Sequence, residues 1–103
     1  LLDSFVLLCV AHGLPAPDTE VVFADGRKWR LDYGWKAQRV AVEQEGGVWT
    51  GGRHTRGVGF EKDCEKYAEA ALLGWVVFRA SPRQMTNGTA LSWVKRALKW
   101  PGK

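Results

Sequence analysis

Trp29 to His54, WRLDYGWKAQRVAVEQEGGVWTGGRH, sets two strand-like segments ahead of a glycine-rich loop. Lys28 to Trp35 and Arg39 to Glu45 read as neighbouring strands, and the Lys36-Ala37-Gln38 connection is short enough to make them antiparallel. A strand turns alternate side chains to opposite faces. Trp29, Leu31 and Tyr33 therefore alternate against Arg30, Asp32 and Gly34, which places Asp32 opposite the aromatic stripe and near Glu43. Glu43 and Glu45 point the same way, inside a run of Val40, Ala41 and Val42 that otherwise reads as buried sheet. Burying unpaired carboxylates is costly unless something cationic compensates them. A hard divalent cation is the natural compensator.

Upstream of this pair, Ser4 to His12 reads as a packing helix with Phe5, Val6, Cys9 and Val10 facing inward, stopped by Gly13 with Pro15 beyond. Glu20 to Phe23 reads as a short strand, and Ala24 to Arg27 as a turn carrying the Asp25-Gly26 hairpin signal. Downstream, Gly46 to Gly59 is a loop, after which Phe60, Cys64, Tyr67, Ala68, Ala71 and Leu72 repeat at helical spacing up to Gly74. Trp75 to Arg79 is a β-prone strand and Pro82 to Gly88 a loop. Thr89 caps a last helix with Leu91, Val94 and Leu98 inward, ended by Pro101 and Gly102. The order is α-β-β-β-α-β-α. A helix crossing between the third and fourth strands makes that pair parallel, so the class is mixed α/β or α+β with helices on both faces of one mixed sheet.

The 103 residues make one domain spanning 1–103, and no apolar run approaches the roughly 20 residues of a membrane span. LLDSFVLLCVAHGL lacks a basic leader and is broken by Asp3, so it reads as an amphipathic helix; secretion is unsupported and a cytoplasmic protein is expected. Cys9 and Cys64 fall on apolar helix faces and imply no disulfide framework. Cys9 and His12 have no second ligand pair, which argues against zinc. The net charge is +4, and every acid lies between Asp3 and Glu69. From Ala70 onward the chain carries Arg79, Arg83, Lys95, Arg96, Lys99 and Lys103 with no acid, a surface suited to a polyanion.

Asp32, ten residues, then Glu43-Gln44-Glu45 resembles the active-site signature of the PD-(D/E)XK nuclease superfamily, whose restriction-endonuclease-like core has the same α-β-β-β-α-β order. In that superfamily an acid on the second strand and one on the third hold the metal, and a lysine commonly sits two residues after the second acid. Glu45 occupies that position here. Some members carry glutamate there, and others supply the lysine from the following helix. More narrowly, RLDYGW, AVEQEGG, Asp63-x-x-Lys66 and LLGWVVFR look like the branch related to very-short-patch repair endonucleases, with Gly47, Trp49 and His54 in the outline of its glycine and tryptophan turn.

The resemblance implies a metal-dependent endonuclease acting on DNA. Asp32 and Glu43 would ligate Mg2+ or Mn2+, Glu20 would reach the metal through water, and Glu45 would orient the attacking water or hold a second ion. The cationic share falls to Arg53, His54, Arg56 or Lys66, with His54 a candidate acid or base. Trp49 is placed to stack on a base, and Lys95, Arg96 and Lys99 to grip the backbone. The glycine loop is no Walker A loop, since it lacks the lysine and Ser/Thr pair. With little room for a specificity domain, the chain is expected to recognise structure or a nick, to act as a homodimer, or to be the nuclease part of something longer. Two rival readings are an inactive nucleic-acid-binding module of the same fold and an interaction domain whose acids pair with Arg30 and Arg39.

Overall fold

The computed structural model describes residues 3–46 and 57–99; Trp49, Arg53, His54 and Arg56, like Pro101 and Gly102, lie outside the described residues. The elements run α1 (Ser4–Ala11), β1 (Asp18–Val22), β2 (Arg30–Trp35), β3 (Val40–Gln44), α2 (Val58–Leu72), β4 (Val76–Ala80), α3 (Pro82–Thr86) and α4 (Thr89–Leu98). The expected mixed class holds. The four strands form one sheet in sequence order. β1–β2 and β2–β3 are antiparallel, while β3 and β4, joined through α2, are parallel.

Two cores flank the sheet. Phe5, Cys9, Leu14, Trp35, Val40, Val42, Ala80, Met85, Leu91 and Val94 pack α1, α3 and α4 against one face. Val21, Leu31 and Ala41, with Tyr67, Trp75 and Val77 partly buried beside them, form a smaller core under α2 on the other. β3 alternates between them, Val40 and Val42 to the first and Ala41 to the second.

α1 begins at Asp3, whose carboxylate accepts from the N–H groups of Phe5 (2.8 Å) and Val6 (3.2 Å). Phe5 and Cys9, one turn apart, carry its contact with the core; Val6 is half-buried and Val10 is exposed, contrary to the inward expectation for the latter. Gly13 follows at φ 82, the left-handed conformation that stops the helix.

α2 departs from the expected packing. Phe60, Cys64, Ala68, Ala71 and Leu72 are exposed, Leu72 by 80%, and the residues turned to the sheet are Lys66, Tyr67 and Ala70. The sheet-facing stripe contains a lysine because its target is a carboxylate, so the apolar period alone selects the wrong face. Cys64 is accordingly a surface residue, whereas Cys9 is fully buried.

The stretch expected as a loop after β4 contains a short helix, α3. Ser81 Oγ accepts from the N–H of Gln84 (3.2 Å) and Gln84 Oε1 accepts from the N–H of Ser81 (3.0 Å), a reciprocal capping box with Pro82 in the first turn. α4 is capped by Gly88 at φ 94 and not by Thr89, whose N–H is taken by Asn87 Oδ1 at 3.0 Å. Its inward residues Leu91 and Val94 are as expected, with Leu98 partly buried.

Candidate functional site

β1 and β2 both change face halfway along. Thr19 and Tyr33 are ladder partners on the α1 side, where Tyr33 meets Phe5, yet the next partners, Val21 and Leu31, belong to the core under α2. Residues two apart share a face only in a regular strand. The switch falls at Glu20 and Asp32, which the ladder skips, and Glu20 takes a left-handed backbone, φ 52. Asp32 therefore does not lie opposite an unbroken aromatic stripe; it lines the same cleft as Tyr33.

The β2–β3 ladder ends at Tyr33–Val42. Beyond it each strand's carboxylate bonds the other strand's backbone: Glu43 Oε2 accepts from the N–H of Asp32 at 2.6 Å, and Asp32 Oδ2 accepts from the N–H of Gln44 at 2.8 Å. The two acids are thus neighbours, as the antiparallel reading requires. They close the fork of the parting strands by satisfying N–H groups that the ladder leaves open.

Glu43 is 7% exposed. Its Oε1 accepts from Lys66 Nζ (2.9 Å) and from the Tyr67 hydroxyl (2.8 Å), both on α2. Burial, then the charge and hydrogen bond of Glu43, push the Tyr67 hydroxyl well above its ordinary range, which keeps it a donor. Glu45 lies on the same side of β3. Its oxygens take a two-point bond from Arg79 of β4, Nε to Oε2 at 2.8 Å and Nη2 to Oε1 at 3.2 Å, and the Arg79 guanidinium rests 4.6 Å from the centre of the Tyr67 ring. Neither Asp32 nor Glu43 pairs with Arg30 or Arg39. Arg30 pairs with Glu20 (3.0 Å) and Arg39 donates to the carbonyl of Leu73.

Asp3, Thr19, Glu20, Asp32, Tyr33, Gln44 and Gly46 line a cleft of about 460 Å³ beside the fork. Tyr33 Oη donates to Asp3 Oδ2 at 2.7 Å. Burial acts to raise the Asp3 pKa, but the bonds from Tyr33, Val6 and Phe5 outweigh it and hold the carboxyl below its usual range. Asp32 Oδ1 accepts no hydrogen bond among the described residues. Both Asp32 Oδ1 and Glu43 Oε2, which carries one N–H contact, keep lone pairs for an ion. Among the described residues no group of three or more His, Cys, Asp or Glu side chains is arranged to hold a metal, so a cation here would rest on this pair, water and substrate oxygens.

The expected site residues divide accordingly. Asp32, Glu43, Glu45 and Lys66 come together around β3, while Glu20 reaches the cleft rim with its carboxylate on Arg30. Lys95 and Arg96 stand apart on α4 and Lys99 caps its C-terminus; Lys95 Nζ lies 3.4 Å from His12 Nδ1 and Arg96 lines a groove with Trp93 and Phe78. Sequence reasoning missed Tyr67 and Arg79. Tyr67 reads as plain core from its period, and Arg79 reads as part of a basic surface until the parallel register sets it opposite Glu43. Among the described residues no helix is long and apolar enough to cross a membrane.

No family model matches the chain, and no solved structure matches it significantly. The chain is similar to uncharacterized protein Rv2248 of Mycobacterium tuberculosis strain H37Rv, at 30% identity over 73 residues, which cover 69% of this chain and 26% of that protein. Uncharacterized protein MT2308 of the CDC 1551 strain gives the same identity and coverage. The chain thus spans about a quarter of the length of these curated relatives.

Proposed function

We propose that this chain is a small metal-dependent phosphodiesterase, an endonuclease acting on DNA through a PD-(D/E)XK-like site of the very-short-patch repair type. The observation that carries the reading is Lys66 Nζ at 2.9 Å from Glu43 Oε1, with the N–H of Asp32 on the other oxygen of the same carboxylate. Two strand acids and a lysine supplied by the following helix meet at one fork, although the position two residues after the second acid holds Glu45 and no lysine. Asp32 and Glu43 would hold Mg2+ or Mn2+, with Glu20 assisting through water. When bound, such an ion would supply an activated water and neutralise charge on the phosphate.

The chain's own groups do the rest. Tyr67 and Lys66 fix the Glu43 carboxylate, the Gln44 N–H fixes Asp32, and Glu45 acts on the water side of the scissile phosphate. His54 would serve as acid or base, and Trp49, Arg53 and Arg56 would contact the nucleic acid. Lys95, Arg96 and Lys99 hold the backbone at a distance from the cut. The proposed setting is cytoplasmic, and a homodimer would let a domain of this size engage both strands of a duplex.

One observation favours a second reading. Every oxygen of Glu43 and Glu45 already has a protein donor, so the network is complete without a cation, as in a nucleic-acid-binding module that has lost catalysis. Incubation of supercoiled and branched DNA with the folded protein, with and without Mg2+ or Mn2+, separates the two. Metal-dependent cleavage supports the nuclease; binding without cleavage in saturating metal supports the module.

A further inference from the structure

Among the described residues, Arg79 combines properties found together in no other cation around this fork. In the parallel β3–β4 register it stands directly opposite Glu43. Its guanidinium is bonded at two points by Glu45, whose side chain is 25% exposed, and lies over the ring of Tyr67, whose hydroxyl bonds Glu43. Its side chain remains 48% exposed, against 15% for Lys66, which is engaged with the buried Glu43. A guanidinium carries five N–H donors and Glu45 takes two, leaving three for further acceptors.

On the nuclease reading above, we propose that Arg79 is the phosphate-contacting cation of this site, held ready by Glu45 on the Tyr67 ring until a phosphodiester takes the place of the Glu45 carboxylate. A planar guanidinium presents paired N–H groups to a phosphate as it does to a carboxylate, so the exchange preserves its geometry. The exchange replaces one two-point charge-assisted bond by another of the same kind, on a guanidinium whose side chain is half-exposed. Asp63, on α2, is the other acid whose charge acts on Arg79. Tyr67 is the positioning residue: its hydroxyl fixes Glu43 and its ring fixes the height of Arg79. This arrangement also accounts for Glu45 two residues after the second acid, since an acid there stores a cation brought in from the neighbouring strand.

The test compares wild type with Arg79→Ala, Arg79→Lys and Glu45→Gln, each shown to be folded by circular dichroism and thermal melting. It uses a short DNA duplex, measuring affinity across a salt series in Ca2+ and single-turnover cleavage in Mg2+. Arg79→Ala is expected to lower the slope of log affinity against log salt by about one, the signature of a lost phosphate contact. Its cleavage falls on the order of 100-fold and recovers in part when guanidinium ion is added to the buffer. Arg79→Lys lies between, keeping the charge without the fork. Glu45→Gln releases Arg79 and binds at least as tightly as wild type.

An unchanged salt slope in Arg79→Ala, or weaker binding by Glu45→Gln, overturns the proposal. If Arg79→Ala does not fold, Arg79→Gln takes its place under the same slope criterion, and Glu45→Gln is read by its affinity as before. A wild type that binds but does not cleave, with the slope change present, keeps the Arg79 contact and discards the nuclease. An active wild type with no slope change discards Arg79 alone, and a protein that binds no DNA discards both.

Discussion

Glu43 sits inside the sheet because three donors reach it from two directions, the Asp32 N–H along the fork and Lys66 with Tyr67 from α2. Removing one member leaves a buried carboxylate short of a partner. Lys66→Ala is expected to lower the unfolding free energy by about 3 kcal/mol, and Tyr67→Phe by about 1 kcal/mol, in urea titrations. Because both side chains serve one oxygen, the double variant is expected to differ measurably from their sum. Asp3 gives a pH signature. Its folded pKa lies below its ordinary value of 3.8, so its contribution is full above about pH 4 to 5 and is lost as pH falls through the folded value. The stability gap between wild type and Asp3→Ala should therefore be widest near neutrality and narrow in acid, measured by denaturation at a series of pH values. Of these contacts the sequence displayed the acids and left the donors unassigned. Glu43 and Glu45 share a side by simple alternation, but the direction of Lys66 depends on how α2 rolls on the sheet, which its neighbours in sequence do not specify.

At the scale of elements, alternation is reliable where a strand is regular and fails where it is not. β3 follows the expected pattern. β2 does not, because its face changes at Asp32 in concert with the left-handed Glu20 across the ladder, and neither residue type announces that geometry. Gly34 is informative on the same strand. A Cβ there would meet Val21 Cγ2 at 3.0 Å and the Trp75 ring at 3.4 Å. Gly34→Ala is expected to cost about 1 to 2 kcal/mol through overpacking between β1 and β4-side aromatics, read as a lowered denaturation midpoint with an unchanged slope. The face of α2 was misread for a definable reason: its apolar residues outnumber those on the buried stripe, and only the buried Glu43 explains why Lys66 and Tyr67 turn inward. α3 was legible in principle, since Ser81-Pro82-x-Gln84 is a capping box in plain sequence, but a five-residue helix is easily taken for loop.

For the whole molecule, the acid-free C-terminal third is distributed over more than one surface. Arg79 joins the fork, while Arg96 lies on α4 and Lys99 caps its C-terminus, away from Glu43. If α4 holds the DNA backbone, neutralising Arg96 and Lys99 together should reduce the salt slope of DNA affinity by about two and leave the cleavage rate at saturating DNA unchanged. Relatives about four times as long as the region they share with this chain give such a domain room for partners beyond it. The claim on which the rest depends is that Asp32 and Glu43 together hold a catalytic divalent ion. Its most direct test is the rate of nicking of supercoiled DNA in Mn2+ by folded wild type, Asp32→Asn and Glu43→Gln. The account predicts nicking by wild type that chelator abolishes, and a loss of roughly 100-fold or more in each variant. Equal rates for all three proteins, or rates indifferent to chelator, would contradict it.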